Sequence, residues 1–192
     1  MLMGNNFDPR DCSCCPSDFR QLKEYIPAAS VLCPLSSPRF DEASRFLSSS
    51  FNNLGLKDFL IFPFPLCEEN DSEILEGCLK TAAFVFFSAS PKIIAPCGRL
   101  ACSLFGLDFN DREIYETFYV SRGKKGKSPP VIVMPLYDPL PLMRDTGDNT
   151  AKYLAFSDRI NMTRSLSVMC GTEIPDENFL ESLNIEWKPL FS

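Results

Sequence analysis

The apolar positions of this chain change period along its length, and each change marks an element. Ser30–Leu35 is a short run fit for a strand, and it passes into the loop Ser36-Ser37-Pro38. Phe40, Ala43, Phe46, Leu47, Phe51 and Leu54 then recur at helical spacing, with Gly55 suited to the position just past a helix end. Asp58–Pro65 is a continuous apolar strand cut off by prolines. From Asp71 to Ser88, Ile74, Leu75, Cys78, Leu79, Ala82, Val85 and Phe86 form one face of the clearest helix, which Asp71 or Ser72 can cap. Lys92–Ala95 predicts a short buried strand, and Arg99–Phe105 a helix closed by Gly106. Ile114–Val120 and Val131–Met134 flank a basic turn as a hairpin would. Thr150–Val168 has the pattern of a further helix, with Tyr153, Leu154, Phe156, Ile160 and Leu166 apolar. Phe19–Ile26, ended before Pro27, and Pro175–Leu183 are shorter helix candidates.

Strands that alternate with helices at this spacing predict a three-layer α/β/α sandwich around a central, largely parallel sheet of four to five strands. The prolines and arginine of Val131–Arg144 (VIVMPLYDPLPLMR) predict a stiff loop at a strand's carboxyl end, where α/β proteins handle ligands. Residues 1–18 are polar, carry three cysteines close together and form an irregular arm, leaving 19–192 as a single domain. A chain of 192 residues is long enough for one domain that buries roughly 70% of its unfolded surface in a sizeable core. There is no internal repeat and no low-complexity tract.

Composition narrows the chemistry. Hydrophobic content of 45% and a mean hydropathy near zero fit a globular protein. No apolar run reaches the ~18 residues of a membrane span, and the N-terminus lacks the pattern of a signal peptide. The expectation is a cytoplasmic protein without a membrane partner. A net charge of −6 opposes non-specific nucleic-acid binding, which depends on Lys and Arg neutralising phosphates. The one basic cluster, Arg122, Lys124, Lys125 and Lys127, is either a solvated hairpin tip or a phosphate contact. Nine cysteines without a secretory signal imply reduced thiols or metal ligands rather than disulfides. With no histidine in the chain, Ser-His-Asp and Cys-His catalysis, HExxH zinc sites and any histidine general base are excluded.

Two motifs carry a resemblance. Pro91-Lys92-Ile93-Ile94-Ala95-Pro96-Cys97-Gly98-Arg99-Leu100-Ala101-Cys102-Ser103-Leu104-Phe105-Gly106 is similar to a segment of the form P-K-V-I-V-x-L-G-R-x-A-x-x-L-L-G. After a hairpin, Leu136-Tyr137-Asp138-Pro139-Leu140-Pro141-Leu142-Met143-Arg144 is similar to T-Y-H-P-S-x-L-L-R. In this order, from residue 40 onward, the chain resembles the uracil-DNA glycosylase superfamily, particularly its iron–sulfur classes. The resemblance implies a four-iron cluster held by an N-terminal C-x2-C and two later cysteines, for which Cys12, Cys15, Cys67 and Cys78 are the counterparts. Ten residues separate Cys67 from Cys78, fewer than that family has, and its arginine- and proline-rich loop is missing. Zinc, or no metal with Cys78 as a core residue, stays open. Cys33, Cys97, Cys102 and Cys170 are expected as small apolar core residues.

In such glycosylases three loops surround a flipped base. The first supplies an acidic residue that positions water, and its counterpart here is Cys33-Pro34-Leu35-Ser36-Ser37-Pro38, without a carboxylate. The second supplies an asparagine that reads uracil, and its counterpart, Phe59-Leu60-Ile61-Phe62-Pro63, ends in proline. The third supplies a histidine, here Asp138. A donor aimed at the charge growing on the departing base is worth ~3–4 kcal/mol, whereas an ionised aspartate there repels it. Asp138 is expected instead to cap its own loop through backbone N–H groups. Ser36, Ser37, Lys124, Lys125 and Arg144 are the candidate nucleic-acid contacts, and Leu140, Leu142 and Met143 occupy the place of an apolar wedge. The alternative for those apolar residues is packing against the domain or a protein partner. Together these features imply a divergent glycosylase-like protein without standard uracil excision, acting by binding DNA, single-stranded or damaged, or a protein. Two alternatives stand beside it: an active divergent glycosylase in base-excision repair using Asp138, and a metal-braced protein-interaction module.

Overall fold

The computed structural model describes residues 26–64, 82, 85, 86, 88–107, 119–122, 131–144, 150–169 and 186–189. In chain order these contain β1 (Val31–Leu35), α1 (Phe40–Asn53), β2 (Phe59–Pro63), β3 (Ile93–Ile94), α2 (Arg99–Ser103), β4 (Tyr119–Arg122), β5 (Val131–Val133), α3 (Pro139–Arg144), α4 (Thr150–Met169) and β6 (Glu186–Pro189).

The fold is mixed α/β. One sheet runs in the order β2-β1-β3-β5-β4-β6. Its first four members are mutually parallel, with Val31 opposite both Phe59 and Ile93, and Ile93 opposite Ile132. β4 turns antiparallel against β5, as the hairpin pattern predicts, and β6 then joins β4 in parallel. This outer strand takes the sheet to six, beyond the four to five expected. Its sequence, Glu-Trp-Lys-Pro, is too short and too polar to declare itself. The expected helix over 175–183, all of the one over 19–26 except Ile26, and most of the one over 71–88 lie outside the described residues.

Alternation along the strands divides the buried side chains between two faces. Val31, Cys33, Leu35, Ile93, Ala95, Ile132, Met134 and Leu136 share one cluster with Ala43, Leu47 and Phe51 of α1 and Phe156, Ile160 and Leu166 of α4. Leu32 points the other way, to Phe62, Ala82, Val85 and Ala101, and Ile94, Val131 and Val133 pack with Cys102, Phe105 and Leu107. Aromatic pairs tie the first face together. Phe51 meets Phe59 edge-on at 5.0 Å, and Phe46 lies 5.8 Å from Phe156.

The termination of α1 follows from Gly55. Its φ of +81° places it in the left-handed region, so its N–H reaches Asn52 O (3.0 Å) and the Leu56 N–H reaches Phe51 O (2.9 Å). Leu56 and Phe51 are both buried in the same cluster, which completes the apolar contact of that cap. Among the described residues no helix is long and apolar enough to cross a membrane.

Cys33, Cys97 and Cys102 are buried free thiols, as expected of small core residues. Burial raises the pKa of each. Neighbouring cysteines add to the rise at Cys33 and Cys97, and Asp138 adds further at Cys97; Cys102 is pushed up to about 12. The folded values lie above the unfolded ones, so the neutral thiols contribute full stability below the ordinary value of 9.0 and lose it as pH rises toward the folded values. The free energy of unfolding from denaturant titrations is therefore expected to decline above pH 9, by about 1.4 kcal/mol per pH unit for each thiol. Replacing Cys102 by Ala should remove one thiol's share of that slope; an unchanged slope would contradict the assignment.

Candidate functional site

Because β2, β1, β3 and β5 are parallel, their carboxyl ends lie along one sheet edge. The chain steps from β1 outward to β2 and returns across β1 to β3, so the strand order reverses between β1 and β3. In open α/β sheets that reversal is where ligands settle. Ser36 and Ser37 follow β1, Pro63 ends β2, and Tyr137 and Asp138 follow β5, so the structure brings the three loops singled out in the sequence to this one edge.

At the reversal the two strand ends are tied together. The β3 ladder continues past its two formal residues, with bridges from Leu35 to Cys97 and from Cys97 to Leu136. Cys97 N–H donates to Pro34 O (2.8 Å), Ser36 N–H to Cys97 O (2.8 Å), and Leu136 N–H to Pro96 O (2.8 Å). Pro34 and Pro96 lack a donor, yet both carbonyls stay in the ladder. The half-buried Ser36 hydroxyl accepts from the Ala101 N–H of α2 (3.2 Å) and donates to Cys97 O (3.4 Å). It thus supplies the side-chain cap that Gly98, the residue before α2, does not have. Gly98 adopts φ +91°, and a Cβ there would overlap the carbonyl oxygen and hydroxyl of Ser36. The backbones meet too closely at this point for any side chain.

Asp138 takes the capping role. Its Oδ1 accepts from the Leu140 N–H at 2.9 Å, at the start of α3. The stretch Pro139–Arg144, expected as loop, is helical. Its prolines are compatible with that because they fall in the first turn, where N–H groups have no intrahelical partner. The thiol of Cys97 donates to Tyr137 O (3.3 Å), and Asp138 in turn is one cause of that thiol's raised pKa. Ser37 Oγ accepts from Arg39 N–H (3.3 Å), a local turn contact.

The wedge candidates differ in their burial. Leu140 is 7% exposed, Leu142 is partly buried against the main core cluster, Met143 is half-buried, and Pro141 is exposed. The backbone of Arg144 closes α3, and its side chain lies outside the described residues. Lys124, Lys125 and the candidate ligands Cys12, Cys15, Cys67 and Cys78 lie outside them as well. Among the described residues, no group of three or more His, Cys, Asp or Glu side chains could hold a metal ion.

Sequence reasoning passed over Arg159. It is 4% exposed, and its Nε donates to Pro135 O (3.2 Å) in the segment between β5 and Asp138. One turn on, Thr163 Oγ1 bonds Arg159 O (2.9 Å) and Met134 Sδ (3.1 Å). The available signal was position: Arg159 and Thr163 share the inward row of α4 with Phe156, Ile160 and Leu166.

Compared with known proteins, the chain matches no protein-family model, and no curated protein is significantly similar to it.

Two substitutions test this geometry. Asp138→Ala is expected to lower stability by about 1 kcal/mol through loss of the cap, and Asp138→Asn, which keeps an acceptor, by less. Gly98→Ala should cost about 1–3 kcal/mol from the backbone conformation alone, with the overlap on Ser36 adding to it. Chemical denaturation measures both, and a neutral Gly98→Ala would refute the close approach.

Proposed function

We propose that this chain is a three-layer α/β/α domain of the uracil-DNA glycosylase type that acts by binding and does not carry out standard uracil excision. The observation that carries the reading is the use of Asp138. At the position where the resemblance implies a histidine donor, a carboxylate accepts a backbone N–H and caps α3. The other two loops agree. Ser36 is engaged by Ala101 and Cys97, and β2 ends in Pro63, which has no side-chain donor or acceptor. Both faces of the sheet are covered by apolar clusters, in keeping with the layered form.

A protein partner fits better than DNA. Leu140 and Leu142 are spent on the domain's own core rather than held out as a wedge, and the net charge of −6 opposes phosphate binding. Cys12, Cys15, Cys67 and Cys78 remain the thiolates proposed to hold a four-iron cluster, with zinc as the other metal that suits such a set.

Protein purified anaerobically, examined by absorption spectroscopy and assayed on uracil-containing single strands, tests both parts. The expected result is a brown protein with no excision above background, unchanged by Asp138→Ala. Robust excision abolished by Asp138→Ala would overturn the binding reading in favour of a divergent glycosylase. A colourless, metal-free protein would remove the cluster.

A further inference from the structure

β2 stands at one end of the sheet order, so among the described residues no strand pairs with its outer edge. Successive residues of a strand turn their backbone N–H and C=O to opposite sides. Asp58 O accepts from Val31 N–H (3.2 Å), and Phe64 N–H donates to Leu35 O (2.9 Å), so the even positions of this stretch face β1. Phe59 and Ile61 therefore turn their backbone donors and acceptors to the open side. Pro63, next in that row, has a carbonyl but no N–H and ends it.

An open row of N–H and C=O groups is a template for another chain, and edge strands are ordinarily blunted by charges, prolines or bulges. β2 carries no such device before Pro63. Phe59, Leu60, Ile61 and Phe62 are all apolar, and the first three are only partly buried. The two charges just before them are engaged within the chain. Lys57 Nζ reaches Asn52 O and Oδ1 (3.4 Å each), and the Asp58 carboxylate accepts from the Ser30 N–H and hydroxyl.

A second copy laid antiparallel along this edge, about a twofold axis normal to the sheet at Leu60, sets Phe59 of each copy opposite Ile61 of the other. Each such pair exchanges N–H···O bonds in both directions, so every outward donor before Pro63 meets an acceptor. An axis normal to the sheet keeps like faces together. Phe59 and Ile61, which both pack on the α1 side, become aromatic–β-branched cross-strand neighbours. Leu60, which packs on the other side, meets its own counterpart at a close, non-hydrogen-bonded position. Lys57 falls opposite Pro63 and Asp58 opposite Phe62, so no like charges are paired.

We propose that β2 is a self-recognition edge, at which two copies of this chain join antiparallel about Leu60 into one continuous sheet. The edge itself selects a second copy over an unrelated strand. Its open row stops after two donors, and the twofold register uses both while setting apolar side chains against apolar ones.

Sedimentation equilibrium of the full chain in reducing buffer is expected to show a monomer–dimer equilibrium, with dimer predominant at about 100 μM. Position 60 meets itself on the axis. Leu60→Lys and Leu60→Glu each bring like charges together there and should weaken self-pairing at least about tenfold, whereas an equimolar mixture of the two should regain the dimer. Circular dichroism checks that both variants fold. The unaltered chain gives an independent reading through hydrogen exchange and mass spectrometry. Exchange at Phe59 and Ile61 should slow at least about threefold between about 1 μM and about 100 μM, while Leu60 and Phe62, bonded to β1, stay slow at both. A monomer at about 100 μM would overturn the proposal. So would exchange at Phe59 and Ile61 that ignores concentration, or folded variants whose mixture stays monomeric, since each means that copies do not meet at this edge.

Discussion

The structure depends most on the register between the carboxyl ends of β1 and β3. Two backbone bonds, from Cys97 N–H to Pro34 O and from Ser36 N–H to Cys97 O, carry the parallel ladder beyond its formal strands and hold the two chain segments at backbone distance. That closeness is the reason position 98 must be glycine, and it brings the Ser36 hydroxyl to the first turn of α2. It also places Cys97 next to β5, where its thiol meets the Tyr137 carbonyl beside Asp138. A shift of one residue at β1 would turn every inward side chain outward and unmake all of these contacts together.

α4 connects that edge to the far side of the core. A buried guanidinium is costly unless its donors are bonded, and one of them, the Nε–H of Arg159, is bonded to Pro135 O in the first stretch of chain after β5. Thr163 reaches Met134 from the same helix face. The segment from Met134 to Asp138 is thus held from below by α4, from one side by Cys97, and at its end by the cap on α3.

Periodicity made much of this legible. The apolar runs at 30–35 and 58–65 and the helical spacing at 40–54 and 150–168 correspond to β1, β2, α1 and α4. The capping role of Asp138 was legible too, because a short carboxylate before a proline has nearby backbone N–H groups as its natural partners. The helicity of Pro139–Arg144 was not. Prolines signal a break when counted, and only their placement in a first turn reverses that meaning. Arg159 was hidden for a related reason: an arginine on a helix is expected at the surface, and its inward direction appears only from its row. β6 pairs through backbone groups at the sheet edge, which leave little trace in four residues of sequence.

The last step concerns what an aspartate does at the head of α3. A helix N-terminus favours negative charge, and the Leu140 N–H gives the carboxylate a partner. The same charge would oppose an anionic leaving base at that place. A donor poised for chemistry must keep its proton aimed at empty space until substrate arrives, whereas a cap is satisfied in the resting fold. These demands conflict at a single position, and here the geometry serves the cap. The sheet edge therefore gathers three loops of which Ser36 and Asp138 are spent on stabilising the domain.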